Sequence, residues 1–277
     1  MKRVIIGDSC LELNESLIDR LDIKLVPLHL NIGEDHFLDD GELDMRDFVD
    51  KMHAYDGVAM TAAPSPQMFF DAALGYDEAF IITLTSELST TYNSAMLAKQ
   101  MLIETYPDMK VHVFDSKSAA SGESLVALHI QTLMDQGRSF EEIVENTEAM
   151  IKNMRTYFVL ENLENLVKNG RMSKIAGKVA KALSVNPVCK GNDGVIEVVS
   201  KTRGMRAGIN KLVSEVTDGL TNLNEKTLMI THVLNPERAL EVKKKFLEKH
   251  LFKEVLILPA KGVSSVYANE GGIIVAL

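Results

Sequence analysis

Phe80-Ile-Ile-Thr-Leu-Thr-Ser-Glu-Leu-Ser-Thr-Thr-Tyr-Asn-Ser-Ala95 changes its periodicity in the middle. Phe80 to Leu84 is an apolar run of the length and bulk that a buried strand requires. From Ser89 the pattern becomes helical: Thr91, Ala95, Ala98 and Leu102 recur at i, i+4, i+7 and i+11, one face of a helix. A strand therefore ends and a helix begins across a cluster of hydroxyls, Ser89, Thr90 and Thr91. Such a corner offers backbone N–H and side-chain O–H donors to an anion. In an open α/β sheet it also lies at the carboxyl ends of the strands, where ligands bind. The same residues equally suit a plain helix cap, so both readings stand at this point.

Working outward, the alternation continues. Lys2 to Gly7 reads as a first strand, followed by Asp8-Ser9 and a helix capped at Asn14 that carries Leu17, Ile18 and Leu21. Ile23 to Leu30 reads as a second strand, interrupted by Pro27, which has no N–H to give a ladder and so suggests an edge or bulge. The acidic stretch from Glu34 to Asp50 resembles a metal loop only in composition. Asp40-Gly41 is turn chemistry, and Asp44 with Asp47 forms an N-cap and first-turn pair, so the stretch reads as a solvated face. Thr61-Ala-Ala-Pro-Ser-Pro66 leaves Thr61 on a stiff loop before a helix with Ser65 at its N-cap and Pro66 at N1. Lys110 to Phe114 is a further strand. Helices follow at about Glu123 to Asp135 and Ser139 to Asn153, the second opened by a Ser139/Glu142 capping box.

Arg155 to Leu160 starts afresh as a strand, placing a domain boundary near Asn153: residues 1–153 and 154–277 form two α/β domains. The first has a mainly parallel sheet, because strands and helices alternate. In the second, Gly170 can stop one helix and Ser173 cap the next. Val188 to Lys190 and Val195 to Val199 flank Gly191-Asn-Asp-Gly194, a hairpin signal that makes this sheet mixed. A helix at Arg203 to Thr217, a strand at Leu228 to Val233, a helix at Pro236 to Glu248 and strands at Val255 to Leu258 and Gly272 to Leu277 complete it.

Composition limits the function. Hydrophobic residues are 46% of the 277 and charged residues 25%, which is globular usage, and no apolar run reaches the roughly 20 residues of a membrane span. A net charge of −9 leaves no basic face for phosphates, which argues against nucleic acid as a partner and allows at most transient membrane contact. Met1-Lys-Arg-Val-Ile-Ile6 runs straight into a strand without a signal-peptide pattern, so a cytoplasmic protein is expected. Cys10 and Cys189 lie far apart with no second pair, indicating neither a disulfide framework nor a metal knuckle. The 14 methionines suit either an adaptable apolar cavity or ordinary core filling. Neither G-x-G-x-x-G after the first strand nor G-x-x-x-x-G-K-[ST] is present, and the seven histidines form no H-E-x-x-H. His29, His112 and His232 fall within strands and read as half-buried structural residues.

Six segments together resemble the DegV family, bacterial fatty-acid-binding proteins that deliver a fatty acid to a separate kinase subunit. They are Gly7-Asp8-Ser9, Thr61-Ala-Ala-Pro-Ser-Pro66, Ile82 to Ala95, Val113-Phe-Asp-Ser-Lys-Ser-Ala119, Asn169-Gly-Arg-Met-Ser-Lys174 and Lys201-Thr-Arg-Gly-Met-Arg206. The resemblance covers essentially the whole chain. It implies two α/β domains with a lipid-binding cleft between them, an apolar tunnel whose mouth closes on a carboxylate with hydroxyls, a long-chain fatty acid as bound ligand in place of any cofactor, and a fatty acid kinase subunit as partner. The family's Thr in Thr-Ser-Gln-Pro-Ser falls on Thr61, and the Ser of its Leu-Ser-Gly-Thr-Tyr turn on Ser89, with Thr90 beside it. The Arg of its Gly-Arg-[Ile/Leu]-Ser segment falls on Arg171, which the family uses near the head group and the kinase contact.

Three departures stand out. Glu87 and Thr90 occupy positions where the turn usually has glycines, and Ala62-Ala63 replace Ser-Gln. Where many relatives have His-Thr-Gly-Pro-Gly, this chain has Val266-Tyr-Ala-Asn-Glu-Gly-Gly272; Tyr267 is the nearest counterpart of the head-group histidine, and Asn269 the other candidate. Two functions follow. The first is a non-enzymatic lipid carrier with Thr61, Ser89 and Thr90 at the carboxylate. The second is an enzyme on a phosphorylated or carboxylated substrate, with Asp8 or Asp115 as base and Arg171, expected on an exposed turn, as clamp.

Overall fold

A computed structural model describes residues 1–172 and 185–277 of the chain. The helix start expected at Ser173 lies outside the described residues. Strands β1 (Arg3–Asp8), β2 (Ile23–Val26), β6 (Glu78–Thr83) and β7 (Lys110–Asp115) form a parallel sheet in the order β2-β1-β6-β7. A small antiparallel sheet, β4-β3-β5, is built from β3 (His29–Ile32), β4 (Asp35–Leu38) and β5 (Met60–Ala62). Every later strand enters a third sheet, ordered β10-β9-β8-β13-β11-β12: β8 (Thr156–Val159), β9 (Val185–Asn192), β10 (Val195–Arg203), β11 (Thr227–His232), β12 (Glu254–Pro259) and β13 (Ile273–Ala276). Only β11 and β12 pair in parallel there, so the sheet is mixed.

Alternation along the strands assigns the two faces of the parallel sheet. Val4, Ile6, Ala79 and Ile81 face α3 (Pro66–Ala73) and α4 (Thr91–Thr105), whose buried stripe is Thr91, Ala95, Ala98 and Leu102, the face read from the sequence. Ile5, Phe80 and Ile82 face the other way, onto α5 (Ser121–Asp135). Helix α5 is buried on nearly all sides. Its residues share one core with Phe140, Ile143 and Ile151 of and around α6 (Phe140–Asn153), and with Met229, Leu256, Leu258 and Ala276 of the mixed sheet. A helix covered by sheets on both sides has no polar face to show, which explains its apolar sequence. After the short helix α7 (Glu164–Lys168), the opposite face of the mixed sheet is covered by α8 (Met205–Thr217) and α9 (Pro236–Leu247).

Local signals were obeyed closely. Asn14 caps α1 (Glu15–Ile18), Asp44 caps α2 (Met45–Ala54) by accepting from Arg46 N and Asp47 N, and the Ser139/Glu142 capping box opens α6. Asp193 and Gly194, with φ of 48° and 86°, make the two-residue turn of the β9–β10 hairpin.

Three expectations need correction. Pro27 does not bulge one strand; it separates β2, which does lie at the edge of its sheet, from β3, which enters another sheet. The acidic stretch is not wholly solvated, because Asp39 is 2% exposed and accepts from Gly262 N and Val263 N at 2.8 and 3.0 Å. Those amides open α10 (Gly262–Ala268), a seven-residue helix too short and too rich in small residues to stand out by periodicity. Helix α1 is a single turn: Leu17 is buried, but Ile18 is exposed and Leu21 lies beyond the helix.

Candidate functional site

The strand order reverses direction at β1, with β2 on one side and β6 on the other, so the loops after β1 and β6 flank a crevice at the carboxyl edge of the sheet. Asp8 spans it. Its Oδ1 accepts from Cys10 N at 2.9 Å in its own loop, and its Oδ2 from Leu84 N at 2.8 Å across the crevice. The turn that follows is held at several points. Thr85 N donates to Ser118 O, Ser89 N to Thr85 O, and Ser86 donates through both N and Oγ to Asp115. Burial alone would raise the Asp115 carboxyl, but hydrogen bonds from Ser86 and Lys117 more than offset it and hold the group below its usual range.

Ser89 accepts from Thr91 N at 3.2 Å and pairs with the Thr91 hydroxyl at 2.8 Å. With Thr91 as donor, Ser89 has both lone pairs engaged and its own proton left to give. The hydroxyl pair thus supports the start of α4, and in that arrangement leaves the Ser89 O–H free on the turn.

Ser89 borders a cavity with about 850 Å³ of atom-free space, part of it open to solvent. Apolar wall residues come from every part of the chain: Leu28, Leu84 and Leu88 from the first half, and Phe158, Leu160, Leu166, Ile196, Val263 and Ile274 from the second. Hydroxyls and charge gather among Thr61, Thr85, Ser89, Tyr267, Lys117 and Arg171. Thr61, central in β5, and Tyr267, on α10, stand 206 residues apart in sequence with their hydroxyl oxygens 2.8 Å apart.

Four of the residues singled out from the sequence, Thr61, Ser89, Arg171 and Tyr267, therefore line one cavity. The other two do not. Thr90 is exposed at the start of α4 and borders a shallower outer depression shared with Ala62, Ala63 and Arg171. Asn269 is buried at the end of α10 in the left-handed region, φ 57°, donating to Asn162 Oδ1. Arg171 does not project from an exposed turn: its guanidinium folds back to donate to Leu88 O at 3.1 Å and Asn169 O at 2.5 Å. Neither candidate base, Asp8 or Asp115, is among the cavity-lining residues.

Sequence reading passed over Lys117, Ser118, Thr156 and Ser264, which also line the cavity. Lys117 and Ser118 lie within the segment from Val113 to Ala119 and could have been taken from it; Thr156 and Ser264 carry no local signal. Lys117 pairs with Asp115 at 3.0 Å, which places a compensated charge rather than a lone cation beside the cavity.

The DegV family model, described as "Uncharacterised protein, DegV family", matches residues 2–277. A DegV domain-containing protein of Streptococcus pyogenes serotype M3 is 35% identical over 258 residues, 92% of this chain and 90% of the relative. Among solved structures, a DegV family protein from Ruminococcus gnavus with vaccenic acid is 36% identical, has a TM-score of 0.95, and the match covers 99% of both chains. The fatty acid kinase (Fak) B3 protein of Streptococcus pneumoniae, loaded with linoleic acid, is 32% identical with a TM-score of 0.92, over 100% of this chain and 99% of the other. Agreement of sequence and backbone over the full length, with no large insertion on either side, leaves one conclusion: the chain belongs to the DegV family.

Proposed function

We propose that this protein binds a long-chain fatty acid, with the tail in the apolar cavity and the carboxylate at Thr61, Ser89 and Tyr267, and that it presents the head group to a separate kinase. One observation carries the reading: a cavity walled mainly by apolar residues carries the hydroxyls of Thr61, Ser89 and Tyr267, and among the described residues its lining includes no carboxylate and no histidine. Burial of each methylene contributes about 0.8 kcal/mol, so the tail supplies most of the affinity and the hydroxyls supply orientation. Relatives at 30% identity or more carry vaccenic, heptadecanoic and linoleic acids, which supports a long acyl chain here. Similarity to the Fak B3 protein supports a kinase partner.

In this reading Thr90 belongs to the outer rim, where a partner would approach, and Asn269 fixes the end of α10 behind Tyr267 instead of touching the ligand. Arg171 holds the Leu88 carbonyl at the mouth and faces both cavity and rim, as a head-group or partner contact would. The protein acts as a carrier, not as a catalyst. Its two domains, 1–153 and 154–277, enclose the ligand between them, which the change of sheet between β7 and β8 supports. Mass spectrometry of an organic extract of the purified protein tests the reading. A long-chain acid at about one equivalent is expected; none, together with no uptake by the delipidated protein, overturns it.

A further inference from the structure

Behind the cavity wall lies a group of carboxyls that the carrier function does not use. Asp8, Glu12 and Glu123 are fully buried and Asp39 nearly so. They come from β1, the loop after it, α5 and the loop after β4, and Lys261, ahead of α10, brings an opposite charge to Glu12 and Asp39. Each is supplied with donors differently. Asp8 accepts one backbone N–H on each oxygen, Asp39 accepts Gly262 N and Val263 N, and Glu12 accepts Lys261 N on Oε2. Glu123 receives no N–H donor: among the described residues neither oxygen has a backbone or hydroxyl partner, and the Cys10 thiol beside it is a weak donor. Yet Glu123, Asp8 and the Cys10 sulfur present atoms within 4.8 Å of one another.

An ionised carboxylate buried without a donor, and beside a second carboxylate, costs several kcal/mol, and a carboxyl relieves that cost by keeping its proton. Asp8, with two N–H donors, is the better anion of the pair. Glu123, with none, is the better acid. We propose that Glu123 is held as a neutral carboxylic acid whose O–H donates to the Asp8 carboxylate, and that this shared proton positions the Leu84–Ser89 turn of the candidate head-group site.

Two observations connect the pair to the site. Asp8 Oδ2 holds Leu84 N, so a proton that keeps Asp8 in place also keeps the first residue of the turn. Cys10, beside the two carboxyls, lines the cavity itself, as do Leu84 and Ser89. The charge balance agrees with the geometry. Burial pushes Asp8 up to about 7 in spite of its two N–H donors, and burial followed by the neighbouring Asp8 pushes Glu123 well above the usual carboxyl range. A divalent cation is the competing way to neutralise the cluster. It would be held by the Asp8 and Glu123 oxygens with or without the Cys10 sulfur, and metal content decides between the two.

The sign of the linkage is fixed. A carboxyl whose folded pKa is raised contributes stability that is complete below its unfolded value, about 4.3, and is lost as pH rises through the folded value. One linked proton changes the folding constant by up to about tenfold per pH unit in that window. Glu123→Gln keeps a donor for Asp8 but has no proton to lose. Thermal and denaturant unfolding of the whole protein from about pH 5 to about pH 8.5 should show wild-type stability falling with pH, and a shallower fall, by up to one proton, in the variant. Infrared difference spectra should show a protonated-carboxyl C=O band in the wild type at neutral pH that disappears in Glu123→Gln. Equal pH slopes, or no such band, overturn the proposal; so does a stoichiometric divalent metal in the purified protein whose removal by chelator lowers its stability.

The positioning role rests on the fatty-acid reading and is measured separately. Affinity for oleic acid should decline with pH more steeply in the wild type than in Glu123→Gln, and identical profiles overturn the positioning role. The unfolding and infrared measurements need no ligand, so failure of the proton brace and failure of the fatty-acid reading give different results.

Discussion

The hydroxyl pair Thr61–Tyr267 permits a quantitative test of the head-group site. Their oxygens are 2.8 Å apart, the separation of an ordinary neutral O–H···O bond. One hydroxyl donates to the other, which leaves a single proton to give; on the proposed reading that proton goes to the carboxylate and the pair is a relay with one outlet. A neutral hydrogen bond contributes about 0.5–1.5 kcal/mol net, and one to a charged acceptor about 1.5–3 kcal/mol. Tyr267→Phe should therefore weaken fatty-acid binding by about 0.5–3 kcal/mol, roughly 2- to 150-fold, and Thr61→Val by a similar amount. Because the first substitution already interrupts the relay, the double variant should lose less than the sum of the single losses. The expected coupling is about 0.5–1.5 kcal/mol, against a scatter of about 0.3–0.5 kcal/mol for independent sites. Isothermal titration of the delipidated protein with oleic acid, on all four members of the cycle, measures it. Unchanged affinity in both single variants, or strict additivity, would refute the relay.

Contacts around the same cavity support three more tests. Ser89→Ala removes the hydroxyl proposed to meet the carboxylate and should weaken binding by about 1.5–3 kcal/mol, roughly 10- to 150-fold, while thermal unfolding shows the protein still folded. Arg171→Ala should leave lipid affinity within a few-fold of wild type and impair phosphorylation of the bound lipid by a cognate kinase; wild-type turnover would remove Arg171 from the partner contact. Gly194→Ala places a Cβ 2.1 Å from Thr85 Oγ1 at a φ of 86°, so it should destabilise the protein by about 1 kcal/mol or more and loosen the wall near Thr85. Chemical denaturation checks the first effect and oleic acid affinity the second.

Features encoded by neighbouring residues were legible in the sequence. The buried face of α4, the capping box at Ser139, the Asp44 cap and the turn ahead of β10 each depend on side chains a few residues apart. Periodicity and capping chemistry act over that range. What escaped was set by distant partners. Asp39 looks like one more acid in a polar stretch until the amides that open α10 bury it, 223 residues later. Pro27 ends one strand and frees the chain for another sheet, and a missing N–H cannot specify which sheet that will be. Helix α10 is mostly buried small residues, whose helical form is maintained by what packs around them.

The sequence by itself determined an alternating α/β chain, a hydroxyl-rich corner after a buried strand, and, through six ordered motifs, membership of the DegV family. It left Tyr267 and Asn269 as two candidates for one position. Only the tertiary structure shows where each points, Tyr267 toward Thr61 at the cavity and Asn269 toward Asn162. It alone brought β5, α10 and the turn before α4 around one cavity and placed Glu123 against Asp8. The reason is physical: propensity and capping are short-range and belong to the local chain, whereas a cavity wall or a shared proton belongs to whichever surfaces the core brings together.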